Sequence, residues 1–115
     1  MTRPRIADDG QVVELDLHGA HVDEAVAMIR RVARLASSRG RGTLRVIHGS
    51  STSDPLARNR TIRHALKGLL DSGDLRPWVV DAVPYDGHTV IALNAGAIDP
   101  TRLGQADLHD GPNRY

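Results

Sequence analysis

The most restrictive feature of the sequence is a short alternating segment followed at once by an amphipathic helix and an apolar run. In residues 13–18, VELDLH, every second side chain is apolar, which predicts a strand with one buried face. Residues 22–37 keep their apolar side chains on one helical stripe and precede Gly40, which predicts a helix. The run LRVI at residues 44–47 predicts a second strand. This order predicts a parallel strand pair with a right-handed crossover.

The second half of the chain predicts another helix and a hairpin. Helical phase places the start of this helix near Asn59, because a start at Pro55 would put Leu56 among the charged side chains. The segments 78–83 and 89–93 predict two strands joined through an Asp-Gly turn. The fold class is therefore α/β, a single domain with the order β-α-β-α-β-β and a mixed four-stranded sheet. The predicted parts are a flexible N-terminal arm (1–10), the folded domain (11–94) and a peripheral or disordered tail (95–115).

Composition narrows the chemistry and the cellular setting. The 115-residue chain has no cysteine, which excludes disulfides, thiolate metal ligands and a cysteine nucleophile, and fits a cytoplasmic location. No apolar run is long enough for a membrane span or a signal peptide, so we expect no membrane partner.

Positive charge is concentrated in the middle of the sequence. Residues 30–76 contain eleven Lys or Arg against three Asp, a net charge of +8, while both flanking segments are acidic. Fourteen of the fifteen basic residues are Arg, whose planar fork suits phosphate. The pattern indicates a phosphate-bearing partner, with solvated helix faces as the alternative.

Residues that can take part in acid–base chemistry or bind phosphate lie at the ends of both predicted parallel strands. Because parallel strands end at the same sheet edge, Asp16, His18 and Gly19 are expected beside His48 and Gly49. Asp16 and His18 share one strand face, an arrangement suited to proton transfer. The alternatives are a turn-capping Asp16 with a structural His18, or a metal pattern D-x-H-x-x-H that ends at residue 21.

These motifs resemble those of the small MutS-related (Smr) domain. Residues 15–19, LDLHG, are similar to its first motif, and residues 47–49, IHG, to the start of its HGxG motif. Residues 62–63 fall where the family has a Leu-Arg pair, and residues 86–93 resemble its closing turn and strand. The resemblance covers residues 12–94 and implies a two-layer sandwich, nucleic-acid binding and, in several members, endonuclease activity. The chain departs from the family at Ser50, which replaces a second glycine, and at Asp86-Gly87, where a Gly-Gly pair is usual.

The sequence therefore predicts a nucleic-acid endonuclease, with RNA favoured over DNA by the resemblance alone. The alternatives are a non-catalytic module that binds nucleic acid or the ribosome, and a protein-interaction domain. No cofactor is predicted, a divalent metal is the alternative, and the oligomeric state is left open. With one acidic side chain at the site, histidines are expected to move the protons. The predicted catalytic residues are Asp16, His18 and His48, and the predicted nucleic-acid-binding residues are Gly19, Gly49, Ser50, Arg58, Arg60, Arg63, Lys67, Gly87 and His88.

Overall fold

A computed structural model describes residues 4–49 and 58–108, with backbone alone for residues 58–60. The fold is α/β, as predicted. Its elements in chain order are β1 (Arg5–Asp8), β2 (Val12–Asp16), α1 (Val22–Ser38), β3 (Thr43–Gly49), α2 (Arg58–Ser72), β4 (Val79–Pro84), β5 (Gly87–Leu93) and a short 3₁₀ helix (Gln105–Leu108).

The described strands form one five-stranded mixed sheet in the order β1-β2-β3-β5-β4. β2 and β3 are parallel, and every other neighbouring pair is antiparallel. The parallel pair and the closing hairpin agree with the prediction, whereas the predicted number of four strands is wrong. The additional strand is β1, in the segment 1–10 for which the sequence predicts a loose arm.

The strand β1 is held by a tight turn that local sequence patterns do not reveal. The Asp9 carboxylate accepts hydrogen bonds from the backbone N–H groups of Gln11 and Val12, at 2.8 and 2.7 Å. Gly10 has a φ of 97°, a conformation that costs glycine little. Four residues are too few to show a period, so pairing with β2 decides that this segment is a strand.

One edge of β1 is covered by a side chain. The Gln105 side-chain oxygen accepts the Ile6 N–H at 3.1 Å, and its amide nitrogen donates to the Pro4 carbonyl at 3.0 Å. This amide therefore satisfies both a donor and an acceptor of the strand, as a neighbouring strand would.

The core lies between the helices and one face of the sheet. The alternating apolar residues of β2 and the following Leu17 are fully buried, as the sequence predicts. The same face continues through Leu44 and Val46 of β3 and through Ile91 of β5. Both helices contact the sheet and each other, while the two-layer arrangement stays a prediction. Each such side chain stabilises the fold by about 1.5–3 kcal/mol on full burial.

A buried ion pair joins β1 to the turn that follows α1. The Arg41 Nε and Nη2 atoms donate to the two carboxylate oxygens of Asp8, at 2.8 and 3.1 Å, and both side chains are 0% exposed. Burial by itself would raise the pKa of Asp8, but hydrogen bonds from Arg41 and from two backbone N–H groups outweigh it, so the pKa is lowered. Arg41 also donates to the carbonyls of Asp99 and Thr101, which ties the C-terminal segment to the same point.

Part of the predicted tail packs against the domain. Leu103 and Leu108 are buried, and Arg31 donates to the Asp107 carbonyl at 2.8 Å. Residues 109–115 lie outside the described part of the chain. The division into arm, domain and tail stays a prediction, with ordered structure observed on both sides of residues 11–94.

Candidate functional site

The parallel strands bring two sequence motifs to one edge of the sheet. Asp16 at the end of β2 is in register with Ile47 of β3. Beyond the last pair, the Leu17 N–H donates to the Ile47 carbonyl at 2.7 Å. The turn that contains His18 and Gly19 therefore lies beside the end of β3, as the crossover predicts.

Asp16 and His18 form a hydrogen-bonded pair at this edge. The Nδ1 atom of His18 lies 2.5 Å from Oδ1 of Asp16, and the His18 backbone N–H donates to the same oxygen at 3.2 Å. The carboxylate orients the ring and, on the neutral imidazole, favours the tautomer with hydrogen on Nδ1. The His18 side chain is 42% exposed, so its Nε2 lone pair can accept a proton from a bound substrate.

Arg5 is a member of this site that the sequence analysis missed. Its Nη2 atom lies 4.0 Å from Oδ2 of Asp16, and its side chain is 75% exposed. Arg5 occupies β1 opposite Asp16, so its place depends on a strand that the local sequence does not predict. A cation in this position can approach a phosphate that contacts the pair.

His48 differs from its expected placement. Its side chain is fully buried and lies on the core face of β3 with Leu44 and Val46, whereas Asp16 lies on the opposite face. Its Nε2 atom is 3.2 Å from Thr89 Oγ1, and its Nδ1 atom is 3.2 Å from the Gly49 carbonyl. Burial lowers the pKa of His48, which keeps the imidazole neutral. The structure therefore does not bring His48 together with His18 on one accessible surface.

His88 does share a sheet face with Asp16. The register pairs Asp16 with Ile47 and Ile47 with His88, so the three residues form one row across the sheet. The His88 ring stacks on Tyr85 with centroids 5.0 Å apart and planes inclined by 16°. Tyr85 is half-exposed, so this aromatic pair is open to solvent beside the row.

Three predicted binding glycines gather at the same edge. Gly19, Gly49 and Gly87 all have φ values between 79° and 89°, and Gly49 pairs with Gly87 across β3 and β5. A side chain in this left-handed conformation costs about 1–2 kcal/mol, so the turns favour glycine. Glycine also lacks a side chain that would hinder the approach of a phosphate to these turns.

The predicted basic residues of α2 are described in part. Arg63 and Lys67 are exposed and lie on one side of the helix, next to a groove beside β4. Lys67 Nζ is 2.7 Å from Asp71 Oδ2 in a highly exposed pair. Arg58 and Arg60 belong to α2, but their side chains lie outside the described part, as does the whole of Ser50.

A metal-binding cluster is not formed by the residues that the structure describes. Among them, no three His, Asp or Glu side chains are grouped as ligands. The third residue of the metal pattern, His21, is exposed at the N-cap of α1. Asp16 and His18 are thus the side chains here that would hold a divalent metal, completed by substrate or water oxygens.

Comparison with known proteins identifies the family. The sequence model of the Smr domain matches residues 15–90 of the 115 in the chain, from the Asp16–His18 strand to the last strand of the sheet. The chain belongs to the Smr domain family. No curated protein and no solved structure matches it. Membership in the Smr family is consistent with nucleic-acid binding or nuclease-type function. None of the helices described in this Smr protein is long and apolar enough to cross a membrane.

Proposed function

We propose that this Smr domain is an endonuclease that cleaves phosphodiester bonds, with RNA favoured over DNA as substrate. The observation that carries the proposal is the Asp16–His18 pair, an oriented and accessible imidazole at the edge of a parallel sheet. A carboxylate that fixes an imidazole gives it the tautomer and basicity needed to take a proton.

The chemistry that fits this pair on RNA is attack by the neighbouring 2′-hydroxyl. His18 Nε2 takes the hydroxyl proton while the 2′-oxygen bonds to phosphorus. The bond from phosphorus to the 5′-oxygen breaks, and a protonated group donates a proton to that oxygen. The products are a 2′,3′-cyclic phosphate and a 5′-hydroxyl.

We assign the protonation of the leaving oxygen to His88 rather than to His48. His88 lies two strands from Asp16 on the same face, which is about 10 Å at the usual strand spacing. A phosphate between His18 and His88 can be approached by one ring from each side. Arg5 is close enough to stabilise the negative charge that develops on the phosphate oxygens.

The RNA on either side of the scissile bond must be held through contacts to its phosphates. Arg63 and Lys67 supply cations on α2, and Gly19, Gly49 and Gly87 have no side chain that would keep a phosphate away from the edge. Ser50, Arg58 and Arg60 are proposed for the same role from the sequence. Such contacts recognise the phosphate backbone and carry no base specificity.

The decisive experiment is cleavage of labelled single-stranded RNA and its 2′-deoxy counterpart, with and without chelator. Asp16→Asn and His18→Ala are expected to abolish cleavage while the melting temperature and RNA affinity stay close to wild type. His21→Ala is the matched control, because this exposed histidine makes no side-chain capping bond at α1 and should leave the rate unchanged.

The product ends separate the proposal from its alternatives. Cyclic phosphate ends, cleavage in chelator and failure on the 2′-deoxy strand support histidine chemistry. Ends with a 3′-hydroxyl and a 5′-phosphate, or inhibition by chelator, would favour a metal on Asp16 and His18, and loss of cleavage in His21→Ala would add this third residue of the metal pattern to the ligands. Binding of RNA or ribosomes without any cleavage would favour the non-catalytic module.

A further inference from the structure

A groove beside the edge strand β4 is not used by the proposed chemistry. It encloses about 530 Å³ and runs between α2 and the end of the β4–β5 hairpin. The helix packs against α1 and β3, so the helix-facing side of β4 is left partly uncovered. This volume lies within the range of about 300–1,000 Å³ that is typical of small-molecule sites.

The groove combines an apolar floor with polar groups at its rim. Leu66, Leu70 and Ala82 supply apolar surface, His64 is exposed and supplies a hydrogen-bonding group, and Thr89 lines the groove from a buried position. A flat aromatic ring with polar edges would bury its faces against such a floor and keep its edges paired. A nucleobase has this chemistry.

Charge is distributed unevenly along the groove. Arg63 and Asp71 are eight residues apart on α2, which is about 12 Å along the helix axis. Arg63 makes no ion pair within the residues that the structure describes, and Lys67 is held only by its exposed pair with Asp71. An exposed pair of this kind contributes little to stability, so a phosphate can displace it at little cost. One end therefore suits a phosphate and the floor suits a base.

We propose that this groove is a subsite for one unpaired nucleotide of the substrate strand, with its base on the Leu70–Ala82 floor and its phosphate on Arg63 and Lys67. The proposal deepens the proposed nuclease function, on which it rests, by assigning the substrate class. A base in a duplex is stacked on both faces and cannot enter, so the subsite selects single-stranded segments.

The groove is connected to the candidate catalytic edge through β5. Thr89 lines the groove and follows His88, whose side chain lies on the opposite face of the same strand. The Thr89 hydroxyl is held by buried His48. An RNA strand with one nucleotide bound in the groove can therefore pass over the sheet edge to the row that contains His88 and Asp16.

The test is titration of the full chain with uridine and adenosine 5′-monophosphates, followed by ¹H–¹⁵N NMR, with inorganic phosphate as the reference ligand. We expect saturable shifts for the backbone signals of Leu70, Ala82 and Thr89 with both nucleotides. Phosphate alone should shift the Arg63 and Lys67 signals and leave those of Ala82 unchanged. Because no cleavage is involved, the subsite and the nuclease function can fail separately.

Filling the groove provides the decisive variant. Ala82→Phe is expected to raise the dissociation constant of the nucleotides about tenfold, because the ring takes up the space that the base would occupy. Val83→Phe is the matched control, because Val83 is the next residue of β4, is 46% exposed and pairs with Val90 on the other face. Leu70→Phe fills the groove from the helix side if Ala82→Phe does not fold.

Two results would overturn the subsite. The first is equal nucleotide affinity in wild type and in a folded groove-filling variant. The second is a pattern of shifts that phosphate alone reproduces. Ala82→Phe should also reduce the preference for single-stranded over duplex oligonucleotides, and an unchanged preference would count against the assigned substrate class.

Discussion

His18 follows β2, and His48 lies near the end of the parallel strand β3, yet their surroundings give them different chemistry. His18 is 42% exposed and is held by a carboxylate, whereas His48 is 0% exposed and is held by a hydroxyl and a carbonyl. The first arrangement favours proton exchange with a ligand, and the second fixes a neutral ring inside the fold. His48 also occupies the position where the pairing of β3 with β5 shifts register.

The first prediction concerns the second imidazole of the proposed reaction. His88→Gln is expected to lower kcat by about 10²–10⁴-fold, the usual contribution of a general acid or base. It should also remove one limb of a bell-shaped dependence of kcat/KM on pH. The measurement is single-turnover cleavage of RNA from about pH 5 to about pH 9. This interval includes the range of about pH 5–8 in which imidazoles usually change charge. A pH profile of kcat/KM that stays bell-shaped in the His88→Gln variant would exclude His88 as the general acid.

His48→Gln is the matched histidine variant, and it is expected to act on stability. Since burial lowers the pKa of His48, the unfolded chain binds this proton more readily than the folded protein. Wild type should therefore lose stability as pH falls below the unfolded value of about 6.5 towards the lowered folded value. The urea midpoint of His48→Gln should depend less on pH in this window. A folded His48→Gln protein that loses a catalytic limb would place His48 in the chemistry after all.

At the scale of elements, α2 carries its positive charge where a helix dipole does not favour it. Arg58 and Arg60 are in the first turn of α2, and this turn has no acidic residue. Cations near a helix N-terminus are disfavoured, so a bound anion would relieve this arrangement. The charge is therefore better explained by a ligand than by helix stability.

The second prediction tests these contacts through salt. Arg63→Ala and Lys67→Ala are each expected to make the fall of the logarithm of the RNA-binding constant with the logarithm of salt concentration less steep by about one unit. The effect should be equal for all RNA sequences. Fluorescence anisotropy with labelled single-stranded RNA between roughly 50 and 200 mM salt measures this slope. Arg30→Ala is the control, because Arg30 is paired with Asp74 at 2.8 Å and has no assigned contact. An unchanged slope in the double variant would show that this side of α2 is merely solvated.

Local periodicity explains which elements could be predicted. β2 and α1 follow from alternation and from a helical stripe, because each buries one face along its whole length. β1 has four residues and becomes a strand only through β2, so no local pattern announces it. The placement of His48 was available in the sequence, since it is in phase with Leu44 and Val46 of the same strand.

At the scale of the whole molecule, the Asp8–Arg41 pair joins three distant parts of the chain. Asp8 belongs to β1, Arg41 follows α1, and the carbonyls of Asp99 and Thr101 complete the arginine contacts. The sequence analysis assigns Asp8 to a flexible arm and gives Arg41 no role. Neither partner could have been found from spacing, because they come together only in the folded chain.

The third prediction is that this pair dominates the stability of the terminal segments. Asp8→Asn is expected to destabilise the fold by about 3–5 kcal/mol, because it removes the charge of the carboxylate that is hydrogen-bonded to buried Arg41. Since the pKa of Asp8 is lowered below 3.8, the contribution is present above that pH and is lost as pH falls through the folded value. Urea unfolding between about pH 2 and pH 7 measures both effects.

The control for this experiment is a surface pair of the same charge type. The Oε2 atom of Glu14 lies 2.9 Å from the Nη1 atom of Arg45, and both side chains are 42% exposed. Glu14→Gln should change the free energy of unfolding by about 0–1 kcal/mol. A comparable loss in both variants would mean that burial of the Asp8 pair has no special effect.

The contact between Gln105 and Pro4 has a consequence for how such a unit can be joined to other polypeptides. The Gln105 amide nitrogen donates to the Pro4 carbonyl at 3.0 Å, so the segments that contain these two residues lie side by side next to β1, at the outer edge of the sheet. A domain with adjacent connections can be grafted into a surface loop of a host protein without stretching that loop. The same closeness would let a short peptide bridge the two segments, so that new ends could be opened in an exposed loop elsewhere. In engineering terms, the fold is suited to insertion and to circular permutation.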